Sequence, residues 1–195
     1  MAKADTDTRQ QPNRTLTLTE EGPAEKGTDT DEVVIAISPG FGTLMDHTMT
    51  DVPHADVLRE MMAGIEEEGL RSRVVRINES VDLGVIGLTG AKLSGSGISI
   101  GIQTRGTTLI HQADLVPLSN LELFPQAPLL EPDTFRAIGQ NAARYAKGET
   151  PSPVPVENDP MARPKYQPLA AVWHIKEMSY REDDSEPTEL SVSFD

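Results

Sequence analysis

The strongest constraint on the fold is a short run, residues 32–37 (EVVIAI), in which five consecutive side chains are apolar. Successive side chains of a strand point to opposite faces of the sheet, so a strand with this sequence must be covered on both faces. Such strands are typical of the interior of a parallel sheet. The run ends at Ser38-Pro39-Gly40, which favours a loop. We therefore predict a buried central strand over residues 32–37.

A helix and a second strand follow this run. Apolar residues recur at helical spacing between Pro53 and Gly69, and a glycine commonly ends a helix. Residues 72–77 (SRVVRI) then predict another strand. A strand, a helix and a strand within this length indicate a βαβ unit, whose two strands are parallel. Asp82 comes soon after the second strand, where open α/β sheets bind their ligands.

Residues 92–130 are rich in turn-forming residues. Residues 98–102 and 109–110 are predicted as two short strands, joined by a turn at Arg105-Gly106. The loop that follows contains residues that restrict the backbone, namely Pro117, Asn120, Pro125 and Pro128. Ordering such a loop costs conformational freedom, which favours a role in binding. The alternative is a plain hairpin with a connector.

The remaining segments are assigned as follows. Residues 81–93 allow either a strand or a helix, and a short helix is favoured although three glycines weaken both assignments. Residues 133–147 predict a helix that ends at Gly148. Five prolines between positions 151 and 164 predict an extended arm across the surface. Residues 170–175 (AAVWHI) predict a last strand, and residues 190–194 an edge strand.

The predicted fold class is α/β, with a mostly parallel sheet flanked by helices, a disordered N-terminal tail and a proline-rich arm. Residues 1–31 are poor in apolar side chains and are predicted to be the flexible tail. Within that tail, the alternating residues 16–19 (LTLT) could form a short strand on a partner. The 195-residue chain shows no internal repeat, so residues 32–195 are predicted to form one domain.

Composition excludes several classes of function. The formal net charge is −14, which argues against binding to nucleic acid or to an anionic membrane surface. The chain has no cysteine, which excludes disulfides and thiolate metal sites and fits a reducing compartment. No segment reads as a secretory signal or as a run of roughly 18 apolar residues that would span a membrane. We therefore expect a cytoplasmic protein.

No catalytic set is evident in the sequence. Gly95, Gly97 and Gly101 are spaced one residue too widely for a dinucleotide-binding fingerprint, and they precede a strand rather than a helix. The four histidines are scattered, and each is expected in a turn or in the core. Asp82 and Arg105 are candidate ligand contacts at strand ends, although either is also compatible with an ordinary surface position. The residues alone indicate an α/β binding subunit.

Three segments carry a family resemblance: residues 93–130 (LSGSGISIGIQTRGTTLIHQADLVPLSNLELFPQAPLL), residues 64–76 (GIEEEGLRSRVVR) and residues 138–166 (IGQNAARYAKGETPSPVPVENDPMARPKY). They closely resemble the medium (β) subunit of adenosylcobalamin-dependent glycerol and diol dehydratases. The resemblance covers residues 32–180, and it implies a Rossmann-like core.

The resemblance implies a lyase that converts glycerol or another vicinal diol to an aldehyde and water by a radical mechanism. The family assembles as a dimer of αβγ heterotrimers, in which the large subunit holds the substrate, its metal ion and the catalytic residues. The medium subunit supplies part of the cobalamin site. In this chain we therefore expect no catalytic residue and no metal ligand.

The resemblance also implies which residues contact the corrin ring and the nucleotide tail: Asp82, Arg105, Leu118, Asn120 and Pro125, with Arg163 as a further candidate. The family usually has lysine at the position of Arg105, which keeps the charge but changes the geometry. The DxHxxG pattern of enzymes that replace the cofactor's own base with a protein histidine is absent. The base-on form of the cofactor is therefore expected.

The expected partners are the large and small dehydratase subunits and the reactivating chaperone. The N-terminal residues MAKADTDTRQQPNR have no apolar stripe, which does not support encapsulation in a protein-shelled microcompartment through this chain. The alternative outside the enzymes is the small subunit of a dehydratase-reactivating chaperone, which has a related fold and would not need the loop over residues 118–128. A free-standing nucleotide-binding protein is disfavoured by the missing phosphate loop.

Overall fold

The computed structural model describes residues 15–195, which form a seven-stranded mixed sheet with helices on both faces. In chain order the strands are β1 (Leu16–Pro23), β2 (Glu32–Ile37), β3 (Arg71–Arg76), β4 (Ile98–Ile102), β5 (Thr108–Gln112), β6 (Glu122–Phe124) and β7 (Thr188–Phe194). The helices are α1 (His54–Glu67), α2 (Leu83–Leu93), α3 (Pro132–Ala146) and α4 (Ala162–Met178), with a short 3-10 turn at Ala127–Leu129. The order across the sheet is β1-β7-β3-β2-β4-β5-β6.

The centre of the sheet confirms the predicted βαβ unit. Strand β2 lies between β3 and β4 and is parallel to both. All six of its residues are buried. The other four pairings are antiparallel, so the prediction of a mostly parallel sheet is wrong. The reason is local: β4 and β5 are joined by a short turn at Arg105-Gly106, and a connection this short can join only antiparallel strands.

Alternate residues of β2 pack into two separate clusters. Val33, Ile35 and Ile37 pack with apolar residues of α1 and α3 on one face of the sheet. Val34 and Ala36 pack with Ile86 of α2 on the other face. The two-sided burial expected from the apolar run is therefore supplied by helices on both faces. In the described part of the chain, no helix is long and apolar enough to cross a lipid bilayer.

Helix α2 confirms the short helix favoured for residues 81–93, and its glycines explain why the sequence was ambiguous. A Cβ atom at Gly90 would lie 2.6 Å from the Cβ atom of Ala36, and one at Gly87 would lie 2.4 Å from Cδ1 of Leu109. Glycine is a poor helix former in isolation. Here it lets the helix lie directly on the sheet, so packing outweighs propensity.

The N-terminal segment differs from the prediction. Residues 16–23, which were expected in a flexible tail, form β1 and pair with β7 of the same chain. Leu16 and Leu18 pack against the core, so a short alternating sequence is ordered when its partner strand is available. Strand β7 confirms a strand over residues 190–194, but its predicted position at the sheet edge is wrong, because it lies between β1 and β3. The part of the tail prediction that concerns residues 1–14 lies outside the described residues.

The C-terminal segment contains a further wrong prediction. Residues 170–175, expected as a strand, lie in the middle of helix α4. Of the residues near its C-terminal end, Trp173 and Glu177 are buried, and they are four residues apart, which is the spacing of one helix face. The apolar neighbours Val172 and Ile175 remain exposed. The apolar side chains of Val172 and Ile175 suggested a buried strand in the sequence, but in the structure these side chains are exposed to solvent.

The proline-rich arm precedes α4 and is tied to the sheet. Glu122 of β6 is buried, and its Oε2 atom accepts a hydrogen bond from the backbone N–H of Val154 at 2.8 Å. The side chain of Asn141 on α3 donates to the carbonyl of Ser152, also at 2.8 Å. Residues 151–161 are mostly exposed, as predicted for an arm across the surface, but Val154 packs in the core, and Pro164, which was assigned to the arm, lies in α4.

The crossing of α1 and α3 generates the first prediction. A Cβ atom at Gly139 would lie 2.2 Å from the carbonyl oxygen of Met61. Gly139→Ala should therefore separate the two helices and lower the free energy of unfolding by about 1–3 kcal/mol, as overpacking does. Thr134→Ala, a half-exposed position on the same helix, should change it by less than about 0.5 kcal/mol. Urea denaturation compares the two variants, and equal stabilities would contradict the close crossing.

Candidate functional site

The carboxyl ends of the three parallel strands meet at one edge of the sheet, called here the carboxyl edge (residues 38–42, 77–82 and 103–107). Two hydrogen bonds join its segments. The backbone N–H of Ser38 donates to the carbonyl of Ile102 at 3.0 Å, and Nε2 of Gln103 donates to the carbonyl of Val81 at 2.7 Å. This edge is where open α/β sheets bind their ligands.

Asp82 lies on the carboxyl edge at the start of α2. It is exposed, and its Oδ1 atom caps the helix by accepting a hydrogen bond from the backbone N–H of Val85 at 3.0 Å. An ionised carboxylate has about four acceptor positions, so the cap leaves capacity for a ligand. The position next to the helix N-terminus also favours its negative charge.

The loop that contains Leu118 and Asn120 lies beside Asp82. A Cβ atom at Gly84 would come within 2.2 Å of the carbonyl oxygen of Pro117 and within 3.3 Å of Oδ1 of Asp82. The absence of a side chain at Gly84 therefore allows the loop and the Asp82 carboxylate to lie close together. Leu118 is 92% exposed, and Asn120 is half-buried.

A second group of predicted residues lines a pocket of about 250 Å³ between the strand ends and α4. Arg105, Pro125 and Arg163 all contribute to its wall, together with Tyr166 of α4. The Nε atom of Arg105 donates to Oγ1 of Thr107 at 3.0 Å. Burial lowers the pKa of the Arg105 guanidinium, and the negative charge of Glu177 opposes this effect. Arginine nevertheless keeps its charge in proteins, so the pocket contains a partly buried cation.

The six predicted residues thus form two groups, one around Asp82 and one around Arg105. Gln103 links them, because its side chain bonds to the carbonyl that precedes Asp82 while it stands two residues before Arg105. An exposed carboxylate with a neighbouring amide can accept hydrogen bonds from amide donors. A guanidinium in a pocket can bind a phosphate.

Sequence reasoning missed four residues beneath this edge: Ser38, His54, Thr104 and Glu177. Glu177 of α4 is 2% exposed, and its Oε1 atom accepts hydrogen bonds from Oγ of Ser38 and from the backbone N–H of Thr104, the latter at 3.2 Å. These contacts join residues up to 139 positions apart. The strand predicted for residues 170–175 also concealed the helical spacing that would have placed Glu177 on the buried face.

His54, at the first position of α1, is fully buried and stacks on Phe41 with ring centroids 3.7 Å apart. Its Nε2 atom lies 2.8 Å from the carbonyl oxygen of Thr104, and its Nδ1 atom accepts from the backbone N–H of Gly42 at 3.1 Å. These bonds require the neutral imidazole with its proton on Nε2. Burial lowers the pKa of His54 to about 4, which favours the same form.

Two buried polar atoms of the edge have no hydrogen-bond partner among the described residues, namely Oε1 of Gln103 and Oγ1 of Thr104. Leaving such atoms unpaired costs free energy, and most proteins avoid it. Both residues immediately precede Arg105. Across residues 15–195, no three histidine or acidic side chains converge as a metal site requires.

Comparison with known proteins gives one family match. The family described as the dehydratase medium subunit matches residues 38–152, which is more than half of the 195-residue chain. The matched region contains the strand ends and five of the six predicted residues, Asp82, Arg105, Leu118, Asn120 and Pro125. Arg163 lies outside it.

Two solved structures are similar in fold. A glycerol dehydratase reactivase chain is 20% identical, with a TM-score of 0.50, over 63% of this chain and 95% of that chain. A diol dehydratase-reactivating factor solved with ADP and Mg²⁺ is 21% identical, with a TM-score of 0.44, over 70% of this chain and 98% of that chain. At this identity the first similarity shows a shared fold.

The buried histidine generates the second prediction. The pKa of His54 is about 4 in the folded chain against an ordinary value of 6.5, so the unfolded chain binds more protons between these pH values. The contribution of His54 to the free energy of unfolding is complete above pH 6.5 and is lost as the pH falls toward 4. The free energy of unfolding should therefore fall by on the order of 3 kcal/mol through this group.

Urea denaturation at pH 7, 6, 5 and 4.5 measures this component. His54→Gln should remove it, whereas His174→Gln, which changes an exposed histidine, should retain it. The same pH dependence in all three proteins would contradict the burial of a neutral His54.

Proposed function

Because the chain belongs to the dehydratase medium-subunit family, we propose that it is the medium subunit of an adenosylcobalamin-dependent glycerol or propanediol dehydratase. In this role it supplies part of the base-on cobalamin site, and the large subunit holds the substrate and the catalytic residues. The observation that carries the proposal is the carboxyl edge itself, which places the exposed carboxylate of Asp82 beside the loop that contains Asn120, and the guanidinium of Arg105 in the wall of a pocket.

The chemistry of these residues fits the cofactor. A corrin ring carries amide side arms, whose N–H groups need acceptors, and acceptors are available at Asp82 and Asn120. The nucleotide tail carries a phosphate, which needs a cation, and Arg105 and Arg163 line the pocket. When bound, adenosylcobalamin supplies the radical chemistry, while the protein supplies binding and orientation. The residues of this chain hold the cofactor in place and do not react.

Helix α4 supports a multi-subunit assembly. Its outer face exposes apolar side chains, with Val172 at 48% and Ile175 at 70% exposure, and Leu169 and Met178 continue the same surface. Contiguous exposed apolar residues of this kind mark interaction surfaces. The inner side of the same helix lines the pocket through Arg163. We assign this face to the large subunit, since the subunit that completes the cofactor site must lie next to α4.

The full assembly in this proposal is a dimer of αβγ heterotrimers with large and small subunits, served by a reactivating chaperone. The small subunit of that chaperone is the alternative for this chain, because a reactivase chain has a similar fold. The match covers 95% of the reactivase chain but only 63% of this one, so more than a third of this chain has no counterpart there. These additional residues favour the enzyme subunit.

Asp82 gives the third prediction. Asp82→Asn keeps an oxygen that can cap α2 but replaces the second acceptor by a donor, so it removes the ligand contact without unfolding the helix start. Loss of an ionic hydrogen bond should weaken cobalamin binding by about 10- to 150-fold. Absorbance titration of the assembled complex with cobalamin measures the dissociation constant.

Glu79→Gln is the matched control, because Glu79 is an exposed carboxylate on the same loop. It should leave the constant unchanged. Arg105→Lys, which keeps the positive charge in the pocket, should stay within about threefold of wild type, whereas Arg105→Ala should lose about tenfold or more. If the complex of Asp82→Asn assembles and binds cobalamin like wild type, Asp82 does not belong to the cofactor site.

The exposed face of α4 gives the fourth prediction. Ile175→Glu places a charge on the proposed interface and should reduce recovery of the large subunit with the tagged chain at least about tenfold, because both apolar burial and desolvation of the charge oppose binding. His174→Glu changes the neighbouring exposed residue and should have little effect. Equal recovery with both variants would show that the large subunit binds elsewhere.

A further inference from the structure

The backbone of Thr104 is held on both sides by three distant parts of the chain. Its N–H, which belongs to the Gln103–Thr104 peptide, lies 3.2 Å from Oγ of Ser38 and 3.2 Å from Oε1 of Glu177. Its carbonyl oxygen, which belongs to the Thr104–Arg105 peptide, lies 2.8 Å from Nε2 of His54. Ser38 follows β2, His54 begins α1, and Glu177 is near the end of α4. Neither of these two peptide groups can rotate without breaking a hydrogen bond to one of these elements.

Glu177 is the unusual member of this cluster. A carboxylate that is 2% exposed costs free energy to desolvate, and an apolar side chain at this position of α4 would avoid the cost. Its Oε1 atom accepts hydrogen bonds from both Ser38 and Thr104, which compensates part of that cost. Packing alone therefore does not explain why a buried acid stands near the end of this surface helix.

The reason lies in the next residue of the chain. Arg105 directly follows Thr104, and its side chain reaches the pocket whose opposite wall is formed by α4. With the peptide groups on both sides of Thr104 held, its backbone dihedral angles are fixed, and they determine the direction in which the Arg105 side chain leaves the backbone. Binding groups must be held to within roughly 0.5 Å by the residues behind them to be effective.

We propose that Glu177 is a positioning residue for the cofactor site, which acts by fixing the backbone of Thr104 and through it the guanidinium of Arg105. Glu177 belongs to the same helix as Arg163 and Tyr166, so it also fixes the distance between the two walls of the pocket. This inference rests on the proposed function, since it requires that Arg105 contacts the bound cofactor.

A double-mutant cycle tests the inference. Complexes of the chain with its large and small subunits are prepared with Glu177→Ala, Arg105→Ala and both changes together, and their dissociation constants for cyanocobalamin are measured by absorbance. Glu177→Ala alone should weaken binding about tenfold. In the Arg105→Ala background it should cause no further loss, because the group that it positions is gone.

Two further variants make the result specific. Glu177→Gln keeps an oxygen that can accept both hydrogen bonds, so it should bind within about threefold of wild type. Glu182→Ala removes an exposed carboxylate just beyond α4 and should have no effect. If Glu177→Ala does not assemble, Glu177→Asp, which withdraws the carboxylate but keeps the charge, replaces it in the same cycle.

Losses from Glu177 and Arg105 that add independently would overturn the inference, because they would show that Glu177 only stabilises the fold. Wild-type affinity in the Glu177→Ala complex would overturn it as well. The proposed function fails separately, if Arg105→Ala and Asp82→Asn both assemble and bind cyanocobalamin like wild type.

Discussion

The burial of β2 on both faces is the constraint on which the rest of the structure depends. Its five consecutive apolar residues cannot lie at a surface, so the chain must place helices on each side of the sheet and strands on each edge of β2. Parallel neighbours on both edges bring three strand ends to one place. The position of the candidate site therefore follows from the packing of the core.

The site depends on long-range contacts as well as on strand ends. The backbone of Thr104 is held by residues that are 50 to 73 positions away in sequence, and one wall of the pocket is a helix that follows the proline-rich arm. Glu122 anchors that arm through the backbone N–H of Val154. Under the proposed function, this rigidity would place the donors and acceptors that hold the cofactor, since the protein's contribution is binding and orientation.

The sequence predicts the centre of this fold well and its margins poorly, for physical reasons. The apolar run of β2, the helical spacing of α1 and the turn at Arg105-Gly106 are local signals that packing reinforces. The pairing of β1 with β7 joins residues far apart in sequence, and α4 has an apolar face that no described residue covers, so local patterns were misleading in both places.

The candidate site likewise contains residues that the sequence identifies and residues that it does not. Asp82 and Arg105 stand at strand ends, and Asn120 and Pro125 lie in a loop whose turn-forming residues favoured a role in binding. Leu118 and Arg163 came only from the family resemblance. The structure brings these six residues into two linked groups, and their contact with cobalamin stays a prediction. Glu177 and His54 gave no local signal, because their roles arise from contacts with Thr104 across the fold.

The central claim is that the carboxyl edge of this subunit contacts cobalamin in the assembled enzyme. Cryo-electron microscopy of the complex of large, medium and small subunits with bound cobalamin measures this directly. The claim predicts a carboxylate oxygen of Asp82 and the guanidinium of Arg105 within about 3 Å of polar atoms of the cofactor. Cobalamin bound wholly within other subunits, with this edge covered by protein, would contradict it.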